Sequence, residues 1–437
     1  VYLHDGYLRP CVNIDHGRHH LPIYAADLGR GPDGRMWVLG DRTQAPSGMG
    51  YAIENRTVMG RVMSDMFVDG QIRRLSTFFR ALRASLYDLS PRKIESPQVA
   101  VLTPGPYNET YFEHAYMASY MGFALVQGND LTIRDSQLFL KTMAGLRPVD
   151  VLLRRVDDLF CDPLELLDYS QLGVAGLVEA MRRHNVAMAN PLGSGILENP
   201  GLMPFLPGLA QHFLGEELLL PAAATWWCGQ PQELAYVLEH LPELVIRRIA
   251  RSARSSTIFG HKLSQVELNE LRDRILSQPH FYVGQEQVGF STVPSLVDGR
   301  LEARHTILRT FAVDMEGGYA VMPGGLTRSA KNPRDFVVSG QADGISRDTW
   351  VLTSTPETYS SLWLQSERLH KTLEQNALLP SRSAENLFWV GRYAERAEAT
   401  ARLLRTILDQ ALQTRGGYDQ ARLASLQQLL CALTQTT

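Results

Sequence analysis

Trp37-Val38-Leu39-Gly40-Asp41-Arg42-Thr43-Gln44-Ala45-Pro46-Ser47-Gly48, WVLGDRTQAPSG, runs from an apolar strand into a carboxylate, a guanidinium, a hydroxyl and a Pro-Ser-Gly turn. Strand ends that break into turn-forming residues are where loops meet ligands. Upstream, Leu21–Asp27 alternates in polarity and breaks at Gly29–Gly34 (GRGPDG), and a second strand follows over Arg35–Leu39. Two strands about a Pro/Gly/Asp turn predict a hairpin. The hairpin sets Asp27 on one strand and Asp41 at the end of the other, where the two carboxylates could approach each other.

Downstream, the pattern from Tyr51 to about Leu89 turns helical, with Arg73, Arg74, Arg80 and Arg83 on polar faces. Val99–Leu102 is a short apolar run that stops at Thr103-Pro104-Gly105. A helix over about 109–121 ends at Gly122, and Phe123–Val126 and Asp150–Arg155 read as further strands. That strand–helix–strand order predicts an α/β layer over 98–190, with ligands expected at its strand ends. Later strands are expected at Leu244–Ile246, Tyr282–Gly284, Tyr319–Met322 and Trp350–Leu352, with a helix at Leu268–Leu276. A polar connector follows, after which Leu387, Val390, Ala394, Ala397, Ala401, Leu404, Leu408 and Ala411 recur at spacings of three and four. This is a helical seam whose alanines allow another helix to approach closely, and a second helix is expected from about 419 to 433.

A chain of 437 residues exceeds one ordinary core, so two to four domains are expected. The net charge of −3 argues against nucleic-acid binding, and no apolar run is long enough to span a membrane. Cys11, Cys161, Cys228 and Cys431 stand singly, which fits a reducing, cytoplasmic setting and gives no zinc spacing. The run Asp15–His20 (DHGRHH) reads as a solvated loop before it reads as a metal site. The chain opens on Val1 with no leader pattern, as a piece of something longer would.

Several stretches together resemble one family: Tyr24–Asp27 (YAAD), WVLGDRTQAPSG with Tyr51 and Glu54-Asn55-Arg56, Leu102–Gly105 (LTPG), Val151–Asp158 (VLLRRVDD), Met322–Arg328 (MPGGLTR) and Arg347–Trp350 (RDTW). In this order they resemble the circularly permuted ATP-grasp proteins related to glutathionylspermidine synthase. The tail Ser383–Trp389 (SAENLFW) with Gly391–Arg396 (GRYAER) is similar to the start of the α-E helical domain. The resemblance implies an α/β fold with five parts. An ATP-grasp half carrying metal-site residues spans 1–97, and an α/β pre-ATP-grasp-like layer spans 98–190. An ATP-grasp half carrying nucleotide-binding residues spans 191–355, followed by a connector at 356–380 and the start of the helical bundle at 381–437.

The implied chemistry is carboxylate–amine ligation through an acyl phosphate, with ATP and Mg²⁺ as cofactors and a peptide-like or small amino substrate. Position by position, Asp27 falls on a metal-ligand carboxylate, with Asp41 as its expected partner. The family's second acid and its Asn fall on Gly40 and Arg42. The strand lysine falls on Arg247, and the glycine-rich loop is replaced by the basic run 250–256 (ARSARSS). Gln285 and Glu286 fall at the adenine hinge, and Arg304, Arg309 and Arg328 on the phosphate side. Arg42 and Arg328 are the candidate catalytic side chains. These departures define the alternative, a catalytically degenerate ATP-grasp chain that binds a protein partner through its C-terminal helices.

Overall fold

The structure, a computed structural model, describes residues 2, 4–17, 20–249, 257–332, 344–354, 379–413 and 420–434. The basic run 250–256 and most of the connector therefore lie outside the described residues. The chain divides into two units, one of residues 1–140 and 147–376, the other of residues 141–146 and 377–437.

In the larger unit the expected hairpin forms from Ile23–Arg30 and Met36–Arg42. Its turn is closed by the Gly31 N–H on the Arg35 carbonyl at 2.9 Å. Gly34 takes a φ of 80°, which a side chain would strain. Beside the hairpin runs the sheet's spine, the 16-residue strand Arg300–Met315. It pairs antiparallel with Ile23–Arg30, Thr292–Val297, Gly318–Val321 and Leu326–Ser329. Ile345–Asp348 adds to Leu326–Ser329. The sequence reading does not anticipate this spine, because RLEARHTILRTFAVDM places a charged or polar group every few residues and no apolar run marks it. Trp350–Leu352, expected as a strand, makes only an isolated bridge from Leu352 to Ile72.

The helices Met49–Val62, Ser76–Asp88 and Tyr111–Met121 supply the apolar partners of this sheet. Ile23, Ala25, Phe311 and Val313 from the strands pack with Phe78, Phe79, Leu82 and Leu86 in one core. The expected α/β layer is a parallel sheet in the order Ala124–Val126, Val99–Leu102, Val151–Arg154, Ala187–Ala189. Val99–Leu102 is buried at every position, as a strand covered on both faces must be. A smaller antiparallel sheet carries Thr225–Trp227, Tyr282–Glu286, Leu244–Arg248 and Ile258–Phe259 in that order. The helices Pro231–Glu239 and Gln265–Ser277 contribute Val237, Leu271 and Ile275 to its core.

Arg154 is fully buried and paired with Asp158 at 2.8 Å, while its other N–H groups reach the carbonyls of Gln44, Val156, Asn190 and Pro191. The charges of VLLRRVDD thus begin an internal network that ties the loop after the hairpin to the parallel sheet. His114, also buried, shares its ring nitrogens with the Thr103 and Thr110 hydroxyls at 2.9 and 3.1 Å. Burial, with a smaller push from Arg155, holds its pKa down at about 3 against an ordinary 6.5. The folded ring therefore refuses a proton that the unfolded ring accepts. Its contribution is intact above pH 6.5 and is lost as pH falls toward 3, about 2 kcal/mol being gone by pH 5. We expect His114→Gln to remove that loss, seen as urea midpoints that shift less between pH 7.5 and 5 than those of the wild type.

The smaller unit holds the helices Ser381–Gln413 and Gln420–Thr434, matching the two expected at the C-terminal end. The seam is not closed, however. Leu387 and Val390 are 62% and 66% exposed, and among the described residues of the first helix the buried one is Ile407. Leu404 and Leu408, farther along the same seam, are 43% and 54% exposed.

Candidate active site

A cleft of about 320 Å³ lies between the spine sheet and the small sheet. From the spine side come Asp27, Gly40, Arg42, Ile307, Arg309, Leu326 and Arg328. Register explains the set: Asp27 faces Arg309 on one side and Gly40 on the other, Leu326 faces Arg309, and Arg328 faces Ile307. Directly opposed residues share a face. From the small sheet come Val245, opposite both Phe259 and Gln285, and Arg247, two residues on along the same strand and so on the same face, and the segment Glu286–Val288 continues the wall.

Asp27 is held by two arginines. Arg309 grips both oxygens, Nε to Oδ1 at 2.7 Å and Nη2 to Oδ2 at 3.1 Å, and Arg42 places Nε and Nη2 on Oδ2 at 3.0 and 2.9 Å. Burial alone would raise the carboxyl's pKa, but Arg309 and then Arg42 outweigh it and hold the group below the usual carboxylate range. Arg309 also donates to the Ser47 carbonyl at 3.0 Å, so the same guanidinium ties the APSG turn to the sheet.

Asp41 does not join Asp27. A register shift between Asp27 and Leu28 leaves Leu39 unopposed, so Asp41 stands opposite Ala26 and Arg42 opposite Ala25. Asp41 therefore lies on the other face of the hairpin, where the Tyr24 hydroxyl donates to its Oδ1 at 2.6 Å. The expectation of two convergent carboxylates is corrected by this bulge, which exchanges Asp41 for Arg42 on the cleft face. Burial, then Glu198, raises the Asp41 carboxyl against the hydrogen bond from Tyr24.

The remaining expected residues divide. Arg247 lines the cleft and donates to the Leu39 carbonyl at 3.1 Å, with a longer contact to the Gln285 Oε1 at 3.5 Å. Its pKa is lowered, by burial first and by Arg42 next. Arg328 lines the cleft with no hydrogen bond or ion pair among the described residues, its pKa lowered by burial and by Arg309. Glu286 is exposed at the cleft wall, whereas the Gln285 amide is already committed to Thr225 and Met203. Arg304 is a correction. Five residues from Arg309 on one strand, it points to the opposite face, pairs with Glu302 at 2.5 Å and is no part of the cleft.

Three charged residues that the sequence reading does not single out as site residues fix the loop at 43–50. Glu198 accepts from the Thr43 and Gln44 N–H groups at 2.8 and 2.7 Å. Glu113, fully buried, accepts from Gly48 and Gly50 at 2.5 and 3.1 Å, at the start of the helix Met49–Val62. Arg155 donates to the Pro46 carbonyl at 2.7 Å and lies 3.7 Å from Glu113 Oε2. A side chain at Gly48 would be strained by a φ of 120° and would press on the Leu326 side chain, 2.9 Å from where its Cβ would stand.

ATP fits the donor set. Leu39, Val245, Phe259, Ile307 and Leu326 offer apolar walls for a base, and Arg42, Arg247, Arg309 and Arg328 offer guanidinium groups for phosphates. A Mg²⁺ caged by protein side chains alone does not fit, and Asp27 would reach an ion only by leaving its arginines. The cleft is lined by two carboxylates: Asp27, which two arginines occupy, and Glu286, exposed on the facing wall of the small sheet. Among the described residues no cluster of three or more His, Cys, Asp or Glu side chains could hold an ion. The same residues hold no helix long and apolar enough to cross a membrane.

Comparison with known proteins agrees with this architecture. Residues 1–330 match the family described as circularly permuted ATP-grasp type 2, and residues 379–437 match Alpha-E, described as a predicted alpha-helical domain with a conserved ER motif. Glu395-Arg396 supplies an ER pair in that segment. An uncharacterized protein of Mycobacterium tuberculosis (strain ATCC 25618 / H37Rv) is 39% identical over 421 residues, covering 92% of this chain and 46% of its own length. An uncharacterized protein of Synechocystis (strain ATCC 27184 / PCC 6803 / Kazusa) is 36% identical over 354 residues, covering 81% of this chain and 74% of its own. The chain thus spans about half the length of its mycobacterial relative. Among solved structures, a glutathione synthetase-like effector from Globodera pallida in its apo form shares the fold with a TM-score of 0.51 at 14% identity, covering 76% of this chain and 77% of its own. The chain belongs to the circularly permuted ATP-grasp type 2 family, extended at its C-terminal side by an Alpha-E segment.

Proposed function

We propose that the cleft binds ATP and that the protein is an ATP-dependent carboxylate–amine ligase of the ATP-grasp class, acting on a peptide-like or small amino substrate. One observation carries the reading: four arginines converge on the cleft, and Arg328 among them has no hydrogen bond or ion pair among the described residues. A half-buried guanidinium without an anion is a site prepared for one. In the reaction a substrate carboxylate oxygen attacks the terminal phosphorus of ATP, and ADP leaves with the electrons of the broken P–O bond. The amine nitrogen then attacks the acyl carbon, the C–O bond to phosphate breaks, and phosphate departs as the nitrogen loses its proton. Arg328 and Arg247 would hold the phosphates, and Arg42 and Arg309 would reach them by leaving Asp27.

A second reading, a binding module without turnover, is favoured by the pairing of Asp27 with Arg42 and Arg309 and by the position of Asp41. That constellation offers a triphosphate cations and offers a metal ion little.

Because Arg328 supports no other side chain, its removal tests the site without dismantling the fold. We expect Arg328→Met to weaken ATP binding by calorimetry about tenfold or more, the range of a lost charge-assisted hydrogen bond. Unchanged affinity would overturn the assignment of this cleft to the nucleotide. ADP release that requires both a carboxylate and an amine would support ligation, and tight binding without release would support the module.

A further inference from the structure

A second cavity, of about 360 Å³, lies on the opposite face of the hairpin from the nucleotide cleft and shares none of its lining. Its walls are apolar: Val38 from the hairpin, Met203, Leu206 and Ala210 from the segment running into the helix Leu206–Leu214, and Ala222. Its only ionisable or hydroxyl-bearing side chains are Tyr24, Asp41, Glu216 and Glu217. Every charge it presents is negative.

Asp41 is the informative residue. The Tyr24 hydroxyl occupies Oδ1 at 2.6 Å, and Oδ2 has no hydrogen bond or ion pair among the described residues. No arginine or lysine lines the cavity, and Arg42 next in sequence is turned to the other face by the bulge. On the cavity side a half-buried carboxylate beside a second acid, Glu198, meets no cation; Arg42 acts on it only from the other face, and burial together with Glu198 outweighs that pull and raises its pKa. At the mouth Leu218, Leu219 and Leu220 are 44%, 92% and 47% exposed in succession, beside the exposed Glu216 and Glu217. Consecutive exposed leucines are an error in a surface unless something apolar lies against them.

We propose that this cavity binds a small organic ammonium with an apolar body, its charged head on Asp41 Oδ2 beside the Tyr24 hydroxyl and its chain along Leu206, Ala210 and Leu218. The head supplies the cation that the cavity's own lining lacks, the chain covers the apolar wall, and the acidic mouth repels carboxylates and phosphates. A volume near 360 Å³ suits a ligand of small-metabolite size. The site is separate from the reacting centre, so it stands whether or not the cleft ligates.

The test titrates n-octylammonium into the protein by calorimetry, with n-octanol, octanoate and methylammonium as comparisons and no nucleotide present. Octylammonium is expected to bind at least tenfold more tightly than any of the three. Asp41→Asn, which keeps the shape and an acceptor for Tyr24, should weaken it at least tenfold. Ala210→Phe, which fills the cavity and leaves every charge in place, should do the same. Both variants should bind ATP as the wild type does. Equal affinity for octanol would reduce the site to a sticky apolar surface and overturn the proposal. Octylammonium binding that ignores both variants, or no binding by folded wild-type protein, would overturn it as well.

Discussion

Asp27→Asn is expected to tighten ATP binding in the absence of any divalent ion, by about tenfold or more, while lowering the stability of the free protein. If Asp27 were a metal ligand, the substitution would weaken nucleotide binding in Mg²⁺. The geometry points the other way, since the carboxylate now competes with a triphosphate for Arg309 and Arg42. Each arginine–carboxylate contact of this kind is worth about 1.5–3 kcal/mol when well formed, and a phosphate must displace two of them. Replacing the charge with an amide removes that competition and the repulsion between carboxylate and phosphate. The free protein loses a pair that is mostly buried, Asp27 being 16% and Arg309 18% exposed at the side chain. A fully buried pair would cost about 3–5 kcal/mol to break; the 37% exposure of Arg42 lowers the figure here to about 2–3 kcal/mol. Because the folded carboxyl lies below its ordinary pKa, its contribution is present above about pH 4 and disappears as pH falls through the folded value. The variant should therefore show a smaller acid-induced loss than the wild type. Calorimetry in chelator and in Mg²⁺ decides the matter: weaker binding by Asp27→Asn under both conditions sinks the competition account.

What the sequence makes legible, and what it hides, can be followed through the same hairpin. Its two strands and turn follow from alternation and from GRGPDG, and the α/β layer and C-terminal helices follow from periodicity of the same kind. The faces do not follow. Continuing the pairing of Leu28 with Val38 without a shift would set Asp41 opposite Ala25, on the Asp27 face. One extra residue, Leu39, sends Asp41 to the back and brings Arg42 to the front, and no residue type in VLGDR announces it. Arg247 shows the consequence, donating to the carbonyl of that same Leu39. Arg304 fails for a simpler reason. Once Arg300–Met315 is known to be a strand, positions 304 and 309 must face apart, but its charged, uneven pattern conceals the strand itself.

Glu113→Gln is expected to cost about 3–5 kcal/mol, the largest single loss of stability foreseen here, and to weaken ATP binding as a consequence. Sequence gives this residue no prominence, since a Glu in YFEHAYM looks like an ordinary helix-surface acid. In the fold it is fully buried, receives the N–H groups of Gly48 and Gly50, and is the carboxylate beside the buried Arg155. The negative charge does two things at once: it faces the amino end of the helix Met49–Val62, and it offsets a guanidinium that burial already disfavours. The amide keeps the size and one acceptor but leaves the Arg155 charge uncompensated. Arg155 also holds the Pro46 carbonyl, and Arg309 holds Ser47 one residue on, so disturbance at Glu113 passes along the APSG turn to a phosphate-facing arginine. WVLGDRTQAPSG is thus a loop secured from beneath by Glu113, Glu198 and Arg155 so that Arg42 and Arg309 can meet over Asp27. A melting temperature lowered by several degrees, with ATP affinity falling in the folded variant, is the expected pair of results. A large stability loss with unchanged ATP affinity would mean that the turn holds the fold alone and the arginines are positioned by the sheet.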